Sequence, residues 1–195
     1  MSSVHRGLLV FLVVLAVLVA GFGYENGWYG HVAPEAAPVG GPFTLTDQNG
    51  ATRSDSEFRG KFMLIYFGYT NCPDACPAAL SAMSQALDQL GTAGAAVQPI
   101  FITVDPARDT PQQLKLYVAN FTPRLIALTG TATQLDTVEH EFRVFASKVP
   151  GGPIDDYLLD HSSFIYLMGR DGKLARLIPP GEKPADMAAD IRKYL

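Results

Sequence analysis

An apolar run of six residues, Phe62–Phe67, is the feature that most constrains the fold of this 195-residue chain. Gly60-Lys61 precedes the run and Gly68 follows it, so the run has the length of a strand and is too short for a helix. A strand that is apolar at every position is typical of a sheet covered by helices on both faces. We therefore predict an α/β domain in which this strand is buried on both sides.

Strand and helix patterns alternate through the rest of the chain after residue 42, which is the order of a thioredoxin-like α/β domain with extra elements. Asn49-Gly50 and Arg170–Lys173 are hairpin turn signals. The further predicted strands are Phe43–Thr46, Ile100–Val104, Leu125–Leu128, Ser163–Met168 and Leu174–Ile178. The predicted helices follow Cys76 as far as Leu90, start at the capping residues Thr110-Pro111, run from Thr131 to about Ser147, and start at Pro184.

Cys72 and Cys76 are the two cysteines of the chain, and they lie where the Phe62–Phe67 strand gives way to a helix. A spacing of four predicts that both sulfurs lie on one face of the first helical turn, where the helix N-terminus lowers a thiol pKa. A disulfide across so short a loop would add little stability, which favours a chemical role. The pair could exchange disulfides or bind one soft metal ion. Copper and zinc are the leading ions, and structural zinc prefers four protein ligands.

The N-terminal segment contains a near-continuous apolar run, Gly7–Gly23. We predict a transmembrane anchor over residues 1–23, a Gly-, Pro- and Ala-rich tether over residues 24–42, and one thioredoxin-like domain over residues 43–195. The alternative is a cleaved signal peptide. Because Arg6 precedes the run and the next basic residue is Arg53, the domain is expected on the outer side of the membrane, in a bacterium the periplasm.

The charge of the exported part is mildly acidic. After residue 23 there are 14 basic and 19 acidic residues, a net charge of −5, without a run of basic residues. This composition argues against a nucleic-acid partner.

Of the four histidines, only His161 is well placed to join the cysteines, because it lies just before the predicted Ser163–Met168 strand. From the residues alone, a hydrogen-bonded loop histidine and a metal ligand are equally good interpretations. His5 lies on the other side of the membrane, His31 lies in the tether, and His140 is expected to be a solvated helix residue.

Three stretches resemble the Sco (SenC/PrrC) family, which comprises membrane-anchored copper-binding proteins with a thioredoxin-like fold that serve cytochrome c oxidase assembly. They are the run FGYTNCPDACP at Phe67–Pro77, Val104–Pro111 and Tyr157–Ser163. The resemblance extends from about Gly41 to the C-terminus. One departure is Asn71, since the family often has His before the first cysteine.

The resemblance implies that Cys72, Cys76 and His161 bind copper as Cu(I) or Cu(II), with Asp160 fixing the histidine tautomer from outside the ligand set. It further implies a metallochaperone of the bacterial inner membrane that delivers copper to the binuclear site of cytochrome c oxidase subunit II. A copper-donating chaperone and a thioredoxin-like reductant are the other implied partners.

Two other functions remain open from the sequence. A thiol-disulfide oxidoreductase would use the cysteine pair alone, reducing the client's copper-ligand cysteines, although three intervening residues and the lack of a proline just before Ser163 count against it. A peroxidase is a weaker option. We expect Asp105, Arg108 and Asp109 to form a strand-to-helix turn held by an Arg–Asp pair; the alternative is a loop flanking the site or a surface for a partner.

Overall fold

The computed structural model of the chain describes residues 3–25, 38–122, 124–149 and 157–195. The chain divides into two units, Met1–Ala37 and Pro38–Leu195. In the first unit the described residues form helix α1, Ser3–Glu25. The segment His5–Glu25 has a mean hydropathy of 2.6 and is long and apolar enough to cross a membrane. Most of the predicted tether, including His31, lies outside the described residues.

Within the described residues of the second unit, a seven-stranded mixed sheet has the order β2-β1-β5-β4-β3-β8-β9. Strands β3, β4 and β5 are parallel and their other neighbours are antiparallel. The strands are β1 Thr44–Asp47, β2 Thr52–Ser54, β3 Phe62–Gly68, β4 Val97–Thr103, β5 Ile126–Thr129, β6 Ala146–Lys148, β7 Leu159–His161, β8 Ile165–Met168 and β9 Leu174–Ile178. The helices that follow α1 are α2 Ala75–Leu90, α3 Pro111–Val118, α4 Ala132–Phe142 and α5 Pro184–Arg192.

Strand β3 is buried along its whole length, as its uniform apolarity predicts. Successive side chains point to opposite faces of the sheet. On one face the ring centroid of Phe67 lies 5.3 Å from that of Phe142 in α4. On the other face the Tyr66 hydroxyl is directed to Cys76 of α2. Helix α2 packs against α5. The predicted class, a mixed sheet flanked by helices with an N-terminal hairpin β1–β2, is confirmed.

The capping residues fix the starts of two helices. The Thr110 hydroxyl accepts a hydrogen bond from the backbone N–H of Gln113 at the start of α3. Thr131 and Gln134 form a complete capping box at the start of α4. Both helix starts were predicted correctly.

The predicted extension of α4 to Ser147 is wrong. The helix ends at Phe142 because Arg143 adopts a left-handed conformation with φ of 55°. The residues that follow form β6, which pairs with β7 in a separate two-stranded antiparallel sheet. We call the strand pair β6–β7 the histidine hairpin, because His161 is the last residue of β7 and pairs with Ala146.

Candidate metal centre

The two cysteines lie on either side of the start of α2. Cys72 belongs to the turn that joins β3 to α2, which we call the cysteine loop (residues 69–74), and Cys76 is the second residue of the helix. The prediction that both sulfurs lie in the first helical turn is therefore wrong for Cys72. The two are linked instead by a hydrogen bond from the Cys76 backbone N–H to the Cys72 sulfur, with 3.3 Å between N and Sγ.

Gly68 allows α2 to begin this close to the sheet. A Cβ atom at residue 68 would lie 2.7 Å from Cys76 Sγ and 3.0 Å from the Phe101 ring, closer than side chains tolerate. The Tyr66 hydroxyl lies 3.9 Å from Cys76 Sγ, and Cys76 has no exposed surface. Cys72 is partly exposed, so the pair has one accessible and one enclosed sulfur.

The histidine hairpin brings His161 onto the cysteine pair. Its Nε2 lies 3.4 Å from Cys76 Sγ, and the ligand atoms of Cys72, Cys76 and His161 all lie within 4.8 Å of one another. The structure thus juxtaposes the three residues that the sequence singled out. Met83 has 1% of its surface exposed and belongs to the core, and His140 is an exposed residue of α4.

A backbone carbonyl fixes the tautomer of His161. Nδ1 lies 3.0 Å from the Ser162 carbonyl oxygen, which can only accept, so Nδ1 carries the proton and Nε2 presents its lone pair to the sulfurs. Asp160 was predicted to be this acceptor. It is exposed, and its position next to His161 in β7 directs its side chain to the other face of the histidine hairpin. The carbonyl of Ser162 takes the place that the sequence assigned to Asp160.

Two tyrosines that the sequence analysis did not select enclose the imidazole. Tyr69 and Tyr66 contact the His161 ring edge to face, with centroids 5.7 Å and 6.1 Å away. The Tyr69 hydroxyl also accepts a hydrogen bond from the Leu159 backbone N–H at 3.1 Å, which ties β7 to the cysteine loop. In the sequence, Tyr69 lies inside the family-like run Phe67–Pro77 and Tyr66 lies inside the apolar run Phe62–Phe67, but neither pattern places a tyrosine beside the histidine.

The two thiols have opposite electrostatic surroundings. The pKa of Cys72 is lowered to about 5, chiefly because the Cys76 thiol donates a hydrogen bond to its sulfur and also because the N–H groups of Cys76 and Asp74 point to it. The pKa of Cys76 is raised, first by that same hydrogen bond and then by burial. The two shifts together predict that at neutral pH Cys72 is a thiolate and Cys76 is a thiol.

The predicted Arg–Asp pair holds the strand-to-helix turn after β4. Arg108 Nε lies 2.5 Å from an Asp105 carboxylate oxygen, and both side chains are largely buried. The turn adjoins the cysteine loop, since the Thr70 backbone N–H donates to Asp109.

A sequence model of the SCO1/SenC family matches residues 31–195. The chain belongs to the SCO1/SenC family. Protein sco1 of Schizosaccharomyces pombe is 43% identical over 159 residues, which are 80% of this chain and 60% of that protein. The chain spans 53–60% of the length of the curated S. pombe, human and mouse relatives that it matches.

Solved structures of the SCO1/SenC family share the fold of this member. The copper-bound structure of Bradyrhizobium japonicum ScoI has a TM-score of 0.75 at 44% identity and covers 80% of this chain and 99% of its own. BsSco, described as having a disulfide switch and as a member of the Sco family of cytochrome c oxidase assembly proteins, has a TM-score of 0.64 at 26% identity, covering 84% and 96%. These neighbours confirm the predicted thioredoxin-like fold.

We predict that iodoacetamide alkylates Cys72 and leaves Cys76 unmodified in the folded, metal-free domain. Because the pKa of Cys72 is lowered to about 5, the rate should be constant from pH 8 to pH 6 and fall to half near pH 5, as the thiolate becomes protonated. Mass spectrometry of peptides after timed alkylation measures both rates. A rate that still climbs between pH 7 and pH 9 would contradict the assignment of the thiolate.

Proposed function

We propose that this chain is a copper metallochaperone that binds copper through Cys72, Cys76 and His161 and delivers it to the binuclear copper site of cytochrome c oxidase subunit II. The observation that carries the proposal is the convergence of the three ligand atoms within 4.8 Å. Support also comes from the copper-bound ScoI neighbour and from BsSco, a member of the Sco family of cytochrome c oxidase assembly proteins.

The donor set fits copper as cargo. Two sulfurs and one imidazole nitrogen are soft and borderline donors, which suit copper and zinc. Three protein ligands are one fewer than a closed structural zinc site uses. Cys72 is partly exposed, so a client ligand can approach the ion from that side.

Two of the three ligands are already in the protonation state that copper binding requires. Cys72 is already a thiolate and Nε2 of His161 already presents a lone pair, so the remaining requirement is that Cys76 loses its proton. Oxidation joins the two sulfurs in a disulfide, which leaves neither able to become a thiolate ligand, so the redox state of the pair decides whether copper is held. A copper-donating chaperone and a thioredoxin-like reductant would supply the metal and the reduced thiols.

A second candidate function, thiol-disulfide reduction of the client's copper-ligand cysteines, rests on the same thiolate–thiol pair. The Cys72 thiolate attacks one sulfur of the client disulfide and releases the other as a client thiolate. Cys76 then loses its proton and attacks Cys72 Sγ, which releases the second client thiolate. Two electrons pass to the client, and Cys72–Cys76 becomes the disulfide. This reaction does not need His161.

We further propose that α1 is an uncleaved single-pass anchor of a bacterial inner membrane, with residues 24–42 as a tether and the domain over residues 43–195 in the periplasm. The apolar length of α1 and the single basic residue near its start, Arg6, support this arrangement.

Replacing His161 with Ala separates the two functions. We expect H161A to lower Cu(I) affinity at least tenfold in competition with a chromophoric chelator, since one of three ligands is lost. The same variant should keep its ability to reduce a disulfide in a soluble domain of subunit II. H140A, on the exposed face of α4, is the matched control. Unchanged Cu(I) affinity in H161A would overturn the proposed copper site.

Copper binding should release about one proton at pH 7, because one of the two thiols is already ionised. Proton loss from the thiols should therefore make the logarithm of Cu(I) affinity rise with pH at a slope of about one between pH 7 and pH 8, where Cys72 is ionised and Cys76 is not. Affinity titrations across this pH range measure the slope, and a slope of two at neutral pH would contradict the expectation.

For the membrane topology, we expect alkaline phosphatase fused after Leu195 to be active in a bacterial host and the full chain to resist extraction from membranes by carbonate. Mass spectrometry of the purified protein should find residues 1–23 still attached. An inactive fusion would overturn the orientation, and an N-terminus beginning near residue 21 would overturn the anchor.

A further inference from the structure

We call the turn between β4 and α3, residues 105–110, the carboxylate turn. It contacts both the cysteine loop and the segment that leads into β7. Its two acidic residues, Asp105 and Asp109, are buried, with 3% and 0% of their surfaces exposed. Each directs its carboxylate to a different element. The Arg–Asp pair that holds this turn accounts for Asp105 and Arg108 but leaves Asp109 unexplained.

Asp109 holds the cysteine loop. One carboxylate oxygen lies 2.5 Å from the Thr70 hydroxyl, and the other lies 3.0 Å from the Thr70 backbone N and 2.6 Å from the Thr103 hydroxyl. Hydrogen bonds from neutral donors to a buried carboxylate are strong and directional. Two of these three end on Thr70, which is two residues before Cys72.

Asp105 holds the other side of the centre, the segment that leads into β7. The Tyr157 hydroxyl donates to Asp105 Oδ1 at 2.6 Å, and Arg108 donates to Asp105 Oδ2. The Arg108 guanidinium also lies 3.7 Å from the centroid of the Tyr157 ring. Tyr157 is four residues before His161 and has 7% of its surface exposed.

Hydrogen bonds within the carboxylate turn link Asp105, Asp109 and the end of β4. The backbone N–H of Asp109 donates to the carbonyl of Asp105 at 2.9 Å, and the N–H of Asp105 donates to the Thr103 hydroxyl at 2.9 Å. Thr103 is the last residue of β4, in the middle of the sheet. These bonds hold the two carboxylates at a set distance from each other and connect both of them to a central strand of the sheet.

We propose that Asp109 with Thr70, and Asp105 with Tyr157, are positioning residues that together set the distance between Cys72 and His161. None of the four is a metal ligand. Each carboxylate acts on one side of the centre, and the turn makes the two sides one unit. The inference rests on the proposed copper site and adds what determines its geometry.

Two variants that each delete one hydroxyl separate the two sides. T70V removes the 2.5 Å bond to Asp109, and Y157F removes the bond to Asp105 while its ring remains beside Arg108. We expect each to weaken Cu(I) binding by about 10- to 100-fold, the usual cost of losing a residue that orients a metal ligand. T70S, which keeps the hydroxyl, should bind Cu(I) within twofold of the wild type.

The metal-free domain gives crossed readouts that a general loss of stability would not. T70V should change the alkylation rate of Cys72 and leave the NMR signals of the His161 ring in place. Y157F should shift the His161 ring signals and leave the Cys72 alkylation rate within twofold. Both are measured on the reduced full domain, with unfolding in urea followed in parallel.

S84A is the stability control, because the Ser84 hydroxyl bonds to Leu80 O and Thr122 N within the domain and away from the centre. Y194F controls for loss of a phenol hydroxyl. Affinities of T70V and Y157F within twofold of wild type, or an equal loss in S84A, would overturn the positioning role while leaving the copper site intact. A wild-type domain that does not bind Cu(I) would instead overturn the proposed function.

Discussion

The contact between Cys76 and the end of β3 is the constraint on which the candidate centre depends. Cys76 has no exposed surface, and the missing side chain of Gly68 lets its sulfur approach the sheet. The buried thiol of Cys76 stays protonated and acts as hydrogen-bond donor to the second sulfur. This bond favours the ionised form of the outer sulfur, Cys72. The accessibility and charge of the pair thus both follow from how closely α2 packs on β3.

Sequence patterns predicted the parts of the fold that rest on local interactions. The apolar run of β3 and the caps at Thr110 and Thr131 each depend on a few neighbouring residues, and each prediction was correct. The end of α4 was missed because Val144 and Phe145 extend the apolar pattern, while the left-handed backbone of Arg143 ends the helix. No local sequence pattern predicts this backbone conformation, because it depends on the pairing of the residues that follow, β6 with β7.

The candidate centre was predictable as a set of residue types but not as a geometry. Cys72 and Cys76 are close in sequence, whereas His161 is brought to them by three-residue strands that have no clear alternation. Those strands are stabilised by distant partners such as the bond from Leu159 to Tyr69. Asp160 was wrongly predicted to be the hydrogen-bond acceptor for the imidazole because β7 was not predicted as a strand. The pleat of β7 directs the Asp160 side chain to the face opposite His161.

The two sides of the centre differ in how they are anchored. Cys76 is part of helix α2 and Cys72 lies in the short loop that joins the seven-stranded sheet to that helix, whereas the imidazole comes from a two-stranded ribbon, a type of sheet that has little stability of its own. The position of the imidazole therefore depends on side-chain bonds to the rest of the domain, such as those of Tyr69 and Tyr157, more than on the ribbon itself. A change that breaks these bonds would move the nitrogen and leave the two sulfurs in place.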